Sequence, residues 1–194
     1  MCGFVGKISL NSIDNQNIIE ANESLVCRGP DETINKQGSL REFNHNMSLN
    51  YSLIFNRLSI IDLSEKASQP MYSKEFNTMI LFNGEIYNHR GLRKDLESKG
   101  IKFLSSHSDT EVLLNGLSFY GDEFLEKLTG QFAIAFLDMR NMKLKLIKDR
   151  VGQKPLFYKI DNENITFSSN LKTLIAVNND HEVDSESYID FLNY

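Results

Sequence analysis

The sequence predicts an α+β domain of antiparallel sheets with helices packed outside them, and three observations carry that expectation. First, 194 residues, 41% hydrophobic and 24% charged, are ordinary for a globular protein with one adequate core. Second, hydrophobic patterning gives about eight or nine short strands and about four helices. Third, the strand blocks follow one another as neighbours instead of alternating with helices, which favours antiparallel pairing over a doubly wound parallel sheet.

Taken in order, residues 4–10 are an apolar strand that begins almost at the terminus. Residues 16–27 carry a helical period in Ile18, Ile19, Asn22, Leu25 and Val26, and Arg28-Gly29-Pro30-Asp31-Glu32 reads as the turn that stops it. Apolar and β-branched residues predict strands at 48–55, 58–63 and 77–82. A helix over 88–99 follows, with Leu92 and Leu96 one turn apart and Gly100 as its stop. Ser108-Asp109-Thr110-Glu111 has the form of a capping box and opens a helix through Tyr120. The last third predicts a buried strand at 131–137, a hairpin partner at 143–148, short strands at 156–160 and 165–168, and a helix over 170–177. Beyond it, Tyr188, Ile189, Phe191 and Leu192 resemble the start of an amphipathic helix that ends without a cap, so a further segment is expected to follow.

Charge and composition exclude several functions. A formal net charge of −5 argues against nucleic acid or an anionic membrane as partner. No apolar run approaches a membrane span, and the first residues lack a signal peptide's basic-then-apolar layout. Two cysteines build neither a disulfide framework nor a Cys-rich zinc site, so a reduced, cytoplasmic domain is expected. His45, His89, His107 and His181 fit no metal-ligand spacing and read as surface or packing residues.

Cys2 is the most informative residue. Its side chain is small enough for the initiator Met to be trimmed, leaving an α-amine of pKa about 7.7–8.0, near the ideal for a general base at neutral pH. Nucleophile and base would then share one residue, the logic of N-terminal-nucleophile hydrolases. The competing reading is a small buried residue at a strand start. Asn83-Gly84 follows an apolar strand and reads either as a hairpin turn or as an oxyanion hole formed by the Asn83 amide and the Gly84 N–H. On the second reading Gly84 is needed because a side chain would block approach to a substrate oxygen, and Glu85 could meet a cationic ligand group. Asp109 suits a helix N-terminus on electrostatic grounds alone. Arg57 is either a surface ion-pair member or a bidentate anchor for a ligand carboxylate.

These residues fall within a longer ordered set. Met1-Cys2-Gly3-Phe4-Val5-Gly6, Arg28-Gly29-Pro30-Asp31, Arg57-Leu58-Ser59-Ile60-Ile61-Asp62 and Asn83-Gly84-Glu85-Ile86-Tyr87-Asn88 come first. Ser108-Asp109-Thr110-Glu111-Val112-Leu113, Gly130-Gln131-Phe132-Ala133 and Asp149-Arg150-Val151-Gly152-Gln153-Lys154-Pro155-Leu156-Phe157-Tyr158 follow. The set resembles the class II glutamine amidotransferase domain, in its asparagine-synthetase-like branch, over roughly residues 2–175.

The resemblance implies the four-layer αββα sandwich of the N-terminal-nucleophile hydrolases, with a glutaminase domain over 2–178 and the start of a linker over 179–194. It implies that Cys2 attacks the side-chain amide of L-glutamine and that Asn83 and Gly84 hold the oxyanion. Arg57 would pair with the α-carboxylate, Glu85 and Asp109 would bind the α-ammonium, and the backbone around Ile60 and Ile61 would line the same pocket. No metal or cofactor is expected here. ATP and Mg would belong to a synthetase domain, in cis or on a separate chain, that passes ammonia to aspartate; a homodimer is left open. Consistent with this division, the sequence has no Ser-Gly-Gly and no Gly-rich phosphate loop. Two alternatives stand beside this reading: another acceptor, such as a sugar acid in polysaccharide synthesis, or a non-catalytic glutamine-binding domain if Met1 is retained. The chain departs from the family pattern at Cys27, at Phe55 and Asn56, at Lys148 and at Asn170, none of them a core catalytic position.

Overall fold

The computed structural model describes residues 2–41, 48–58 and 68–179. In chain order its elements are β1 (Gly3–Ser9), α1 (Asn15–Val26), β2 (Glu32–Arg41), β3 (Ser48–Arg57), β4 (Met71–Ser73), β5 (Thr78–Ile86), α2 (His89–Ser98), α3 (Asp109–Tyr120), β6 (Gly130–Asp138), β7 (Lys143–Lys148), β8 (Phe157–Asp161), β9 (Asn164–Ser168) and α4 (Leu171–Asn178). A 3-10 segment at Gly121–Lys127 follows α3.

The strands form a five-stranded sheet in the order β2-β3-β1-β9-β8 and a four-stranded sheet in the order β4-β5-β6-β7. Every pairing is antiparallel. Alternation along the strands then builds three apolar layers. Phe4, Leu53, Phe55 and Phe167 from the first sheet meet Met79, Leu81, Ala133, Ala135 and Leu137 from the second. Their neighbours Val5 and Ile54 point the other way, onto Ile18, Ala21 and Leu25 of α1 and Val177 of α4. Ile80, Phe82, Ile134 and Phe136 point outward from the second sheet, onto Leu92 and Leu96 of α2 and Val112, Leu113 and Leu117 of α3. β5 and β6 read as near-continuous apolar runs because α2 and α3 cover the outer face of their sheet. The αββα sandwich expected from the family resemblance is the architecture observed.

Several local expectations are corrected. The turn at 28–32 leads directly into β2, a ten-residue strand that patterning missed. Its residues alternate between half-buried and exposed, but only Ile34 and Leu40 are apolar, as suits an edge strand. β4 was also unanticipated. Asn83 and Gly84 lie inside β5 rather than in a turn after it, since Glu85 and Ile86 stay paired with Gln131 and Gly130 of β6. Residues 59–63 of the strand expected at 58–63 fall outside the described residues, as do His45, His181 and all but the first residue of the 179–194 segment.

The capping box is only half formed. Ser108 accepts from Glu111 N–H at 3.3 Å, but Glu111 reaches past Ser108 to the Leu104 and Ser105 N–H groups at 2.6 and 2.8 Å. Asn88 does not cap α2 with its side chain; it ties the chain to the Lys127 carbonyl and the Thr129 N–H instead. Among the described residues no helix is long and apolar enough to cross a membrane.

Candidate active site

The chain ends of β1, β3 and β5 and the first turn of α3 hold the residues singled out by the sequence. β1 is locked at its start: Phe4 N–H donates to Ser169 Oγ at 3.0 Å, and its carbonyl accepts from Ser169 N–H and Ser168 Oγ, each at 3.0 Å. Cys2 therefore has a fixed base. Since Gly3 pairs with Asn56, the next register position sets Cys2 beside the end of β3. The thiol accepts from Leu58 N–H at 3.4 Å and donates to the Leu58 carbonyl at 3.6 Å. Burial raises the Cys2 thiol above its ordinary pKa; the Leu58 backbone bond and the Arg57 charge oppose this, and the Asp109 charge adds to it. Arg57 and Asp109 thus both lie within electrostatic reach of the sulfur.

Arg57 is 7% exposed, not a surface residue. Its Nη1 meets Glu32 Oε2 at 3.4 Å and Ser68 Oγ at 3.3 Å, and Ser68 Oγ donates to Glu32 Oε2 at 3.1 Å. Gly29 packs against this strand end: a Cβ there would stand 2.2 Å from the Asn56 carbonyl oxygen. The turn that carries Gly29 is held in place by Asp31 N–H, which donates to the Arg57 carbonyl at 3.1 Å.

Across the sandwich, β5 faces β1. Asn83 is 1% exposed, and its Nδ2 has no hydrogen-bond acceptor among the described residues. A buried amide donor without a partner costs on the order of 1–3 kcal/mol, and this one is left available to an incoming acceptor. Gly84 is required for a reason the sequence reading did not supply: a Cβ would sit 2.1 Å from the Gln131 carbonyl oxygen of β6. Packing between strands by itself excludes a side chain there.

Glu85 is exposed at the end of β5. Asp109 is 6% exposed, and its Oδ2 accepts from Ile86 N–H at 3.2 Å, which brings the start of α3 to the strand that carries Glu85. Burial raises the Asp109 pKa, against the lowering effect of the Ile86 N–H and the His89 charge. Its carboxylate thus serves the β5 junction and not merely its own helix. The structure brings Cys2, Arg57, Asn83, Gly84, Glu85 and Asp109 to one end of the sandwich; Ile60 and Ile61 lie outside the described residues.

Sequence reasoning missed several supporting residues. Glu32, at the start of an unrecognised strand, gave no signal. Gln69 was not singled out, yet it is 5% exposed and bonded to Phe82 at both the N–H and the carbonyl. Asp149 lay in a quoted motif without a role; its carboxylate accepts from the N–H groups of Phe132, Val151, Gln153 and Lys154.

Residues 1–194 match the family model described as a glutamine amidotransferase domain. Asparagine synthetase [glutamine-hydrolyzing] 1 of Bacillus subtilis (strain 168) is 36% identical, over 100% of this chain and 30% of its own length. A putative asparagine synthetase [glutamine-hydrolyzing] 2 of Methanocaldococcus jannaschii is 32% identical, over 91% of this chain and 35% of its own. The chain thus spans about a third of these curated relatives. Among solved structures, glutamine phosphoribosylpyrophosphate amidotransferase from B. subtilis superimposes with a TM-score of 0.66 at 18% identity, over 90% of this chain and 43% of that one. That likeness bears on the fold alone.

Proposed function

Because the chain belongs to the glutamine amidotransferase domain family, we propose that it is the glutamine-hydrolysing half of an asparagine-synthetase-like amidotransferase, with Cys2 as its nucleophile. The observation that carries this reading is the buried, unpartnered Asn83 Nδ2 on β5, the strand across from β1, whose start follows Cys2.

The steps follow from the residues. Burial raises the thiol's pKa, so attack needs a base at the sulfur. The α-amine of Cys2, free once Met1 is removed, takes the thiol proton as Sγ bonds to the side-chain amide carbon of glutamine. The carbonyl π electrons move to oxygen, where Asn83 Nδ2–H and Gly84 N–H receive the charge. Loss of one such donor costs about 3–4 kcal/mol of barrier. Collapse breaks the C–N bond, the ammonium returns its proton to the departing nitrogen, and ammonia leaves a γ-glutamyl thioester. Water attacks that thioester, the same amine accepts its proton, and glutamate leaves as the thiol re-forms.

Selectivity needs both ends of the free amino acid. Arg57 binds the α-carboxylate, taking it in the place that Glu32 and Ser68 now share, while Glu85 and Asp109 bind the α-ammonium. Nucleophile, base and oxyanion donors all belong to the chain, so the reaction asks for no metal or cofactor. ATP, Mg and aspartate belong to a synthetase domain, in cis or on a separate chain, that consumes the ammonia.

Intact mass before and after 6-diazo-5-oxo-norleucine tests the reading. The expected result is a des-Met chain that gains one adduct, lost in Cys2→Ala. A chain that keeps Met1 and takes no adduct would overturn it.

A further inference from the structure

The geometry points to Gln69 as a positioning residue that sets the Asn83 oxyanion donor, through Phe82, and ties it to both ends of the substrate pocket. The inference rests on the glutaminase reading for its kinetic consequence, and on the structure for its placement.

β4 pairs with β5 in the register Met71↔Ile80, Tyr72↔Met79 and Ser73↔Thr78. Continued by two residues, that register sets Gln69 opposite Phe82. The strand stops short of it because Pro70 has no N–H to donate to a ladder. Gln69 closes the gap with its side chain: Oε1 accepts from Phe82 N–H at 2.6 Å, and Nε2 donates to the Phe82 carbonyl at 3.2 Å. A side-chain amide thus reproduces both bonds that a neighbouring peptide would make. The partner it holds is the residue directly before Asn83.

The same Nε2 lies 3.4 Å from Thr110 Oγ1, next to Asp109 in α3. On its other side Gln69 is bonded through the chain to Ser68, whose Oγ accepts from Arg57. Arg57, Asn83 and Asp109 therefore each stand one residue or one hydrogen bond from Gln69 or its partners, while coming from three different elements. Gln69 is 5% exposed and touches no reacting atom in the proposed mechanism, so its influence runs through the placement of others. Oxyanion donors act only when aimed at the position the developing charge will take, and a misplacement near 1 Å costs on the order of a hundredfold in rate.

The test is a double-mutant cycle on the full chain, with turnover counted per Cys2 titrated by 6-diazo-5-oxo-norleucine. Gln69→Leu is expected to lower kcat for glutamine hydrolysis about 10–100-fold with KM within about threefold. In an Asn83→Ala background the same substitution is expected to change kcat by less than about threefold, because the donor it positions is gone. Equal losses in both backgrounds, or an unchanged kcat per titrated site, would overturn the proposal. Should Gln69→Leu not fold, Gln69→Glu keeps the acceptor for Phe82 N–H and loses the donor to its carbonyl; an intermediate loss of kcat is expected, and none would count against the proposal.

A measurement free of catalysis separates this inference from the glutaminase reading. By NMR, the Gln69 variants are expected to speed hydrogen exchange at Phe82 N–H and shift the Asn83 side-chain amide signals. If the wild-type chain hydrolyses no glutamine, the functional reading fails while these shifts still uphold the placement. If exchange and signals match wild type, the placement fails even when hydrolysis proceeds.

Discussion

Asp109 and Asp149 are both buried carboxylates, yet they titrate in opposite directions for reasons that lie within a few ångströms of each. Burial acts to raise both. At Asp109 burial wins, with Ile86 N–H as the largest opposing influence. At Asp149 the N–H groups of Gln153, Lys154, Phe132 and Val151 together outweigh it, and the carboxyl titrates below its ordinary range. A raised folded-state value means that Asp109 favours folding most at low pH, with that contribution lost as pH rises from the ordinary carboxylate value through the raised one. On the proposed function substrate reverses the balance, since an α-ammonium needs the ionised form. KM for glutamine is therefore expected to rise as pH falls through a window above the usual carboxylate range. Asp109→Asn is expected to flatten that limb and raise KM about tenfold at neutral pH, and a pH series of steady-state kinetics on both proteins checks it. Burial raises the Cys2 thiol in the same way, and the proposed mechanism answers this with a base on the same residue.

The elements meet through buried polar contacts that no periodicity reveals. Asn56, at a departure from the family pattern, is fully buried in β3. Its amide donates to Asn22 of α1 at 2.6 Å, and its oxygen accepts from Thr33 Oγ1 of β2 at 2.8 Å. One side chain thus joins a helix and two strands beside Arg57. Asn56→Ala is expected to destabilise the fold by about 2 kcal/mol, because it leaves the Asn22 oxygen buried without its donor; the urea midpoint reads this. Asn170, another departure, caps α4 by accepting from Lys172 and Thr173 N–H. The helix start at Ser108 was legible, since a short polar side chain at that position satisfies an N–H group three residues on. Edge strand β2 was not, because an edge needs few apolar residues.

At the scale of the whole molecule, one carboxylate holds the return passage from the second sheet to the first. The chain leaves β7 in one sheet and enters β8 in the other through the segment that Asp149 folds around itself. The same carboxylate holds Phe132 N–H, and Phe132 pairs with Gly84. The crossing and the strand that carries Asn83 and Gly84 therefore share one anchor. Asp149→Ala is expected to cost about 3 kcal/mol, since it strands buried N–H donors. The depressed titration adds a sign: the stabilisation is present above the ordinary carboxylate pKa and lost as pH falls through the lower, folded value. Acid unfolding of the wild type beside the variant measures both, with the two stability curves expected to converge at low pH.

The order of motifs along the chain determined the family, and apolar runs bounded by turn signals determined most strands and all four α-helices among the described residues, because those signals are local. The residues named for chemistry were legible for the same reason: Cys2, Arg57, Asn83, Gly84, Glu85 and Asp109 stand in short motifs of their own. Only the tertiary structure decided that they share one end of a sandwich and which groups hold them there. Glu32, Gln69 and Asp149 act on partners 25, 13 and 17 residues away. Contacts at that separation leave no period in the sequence, and their strength comes from burial, which exists only once the layers have closed.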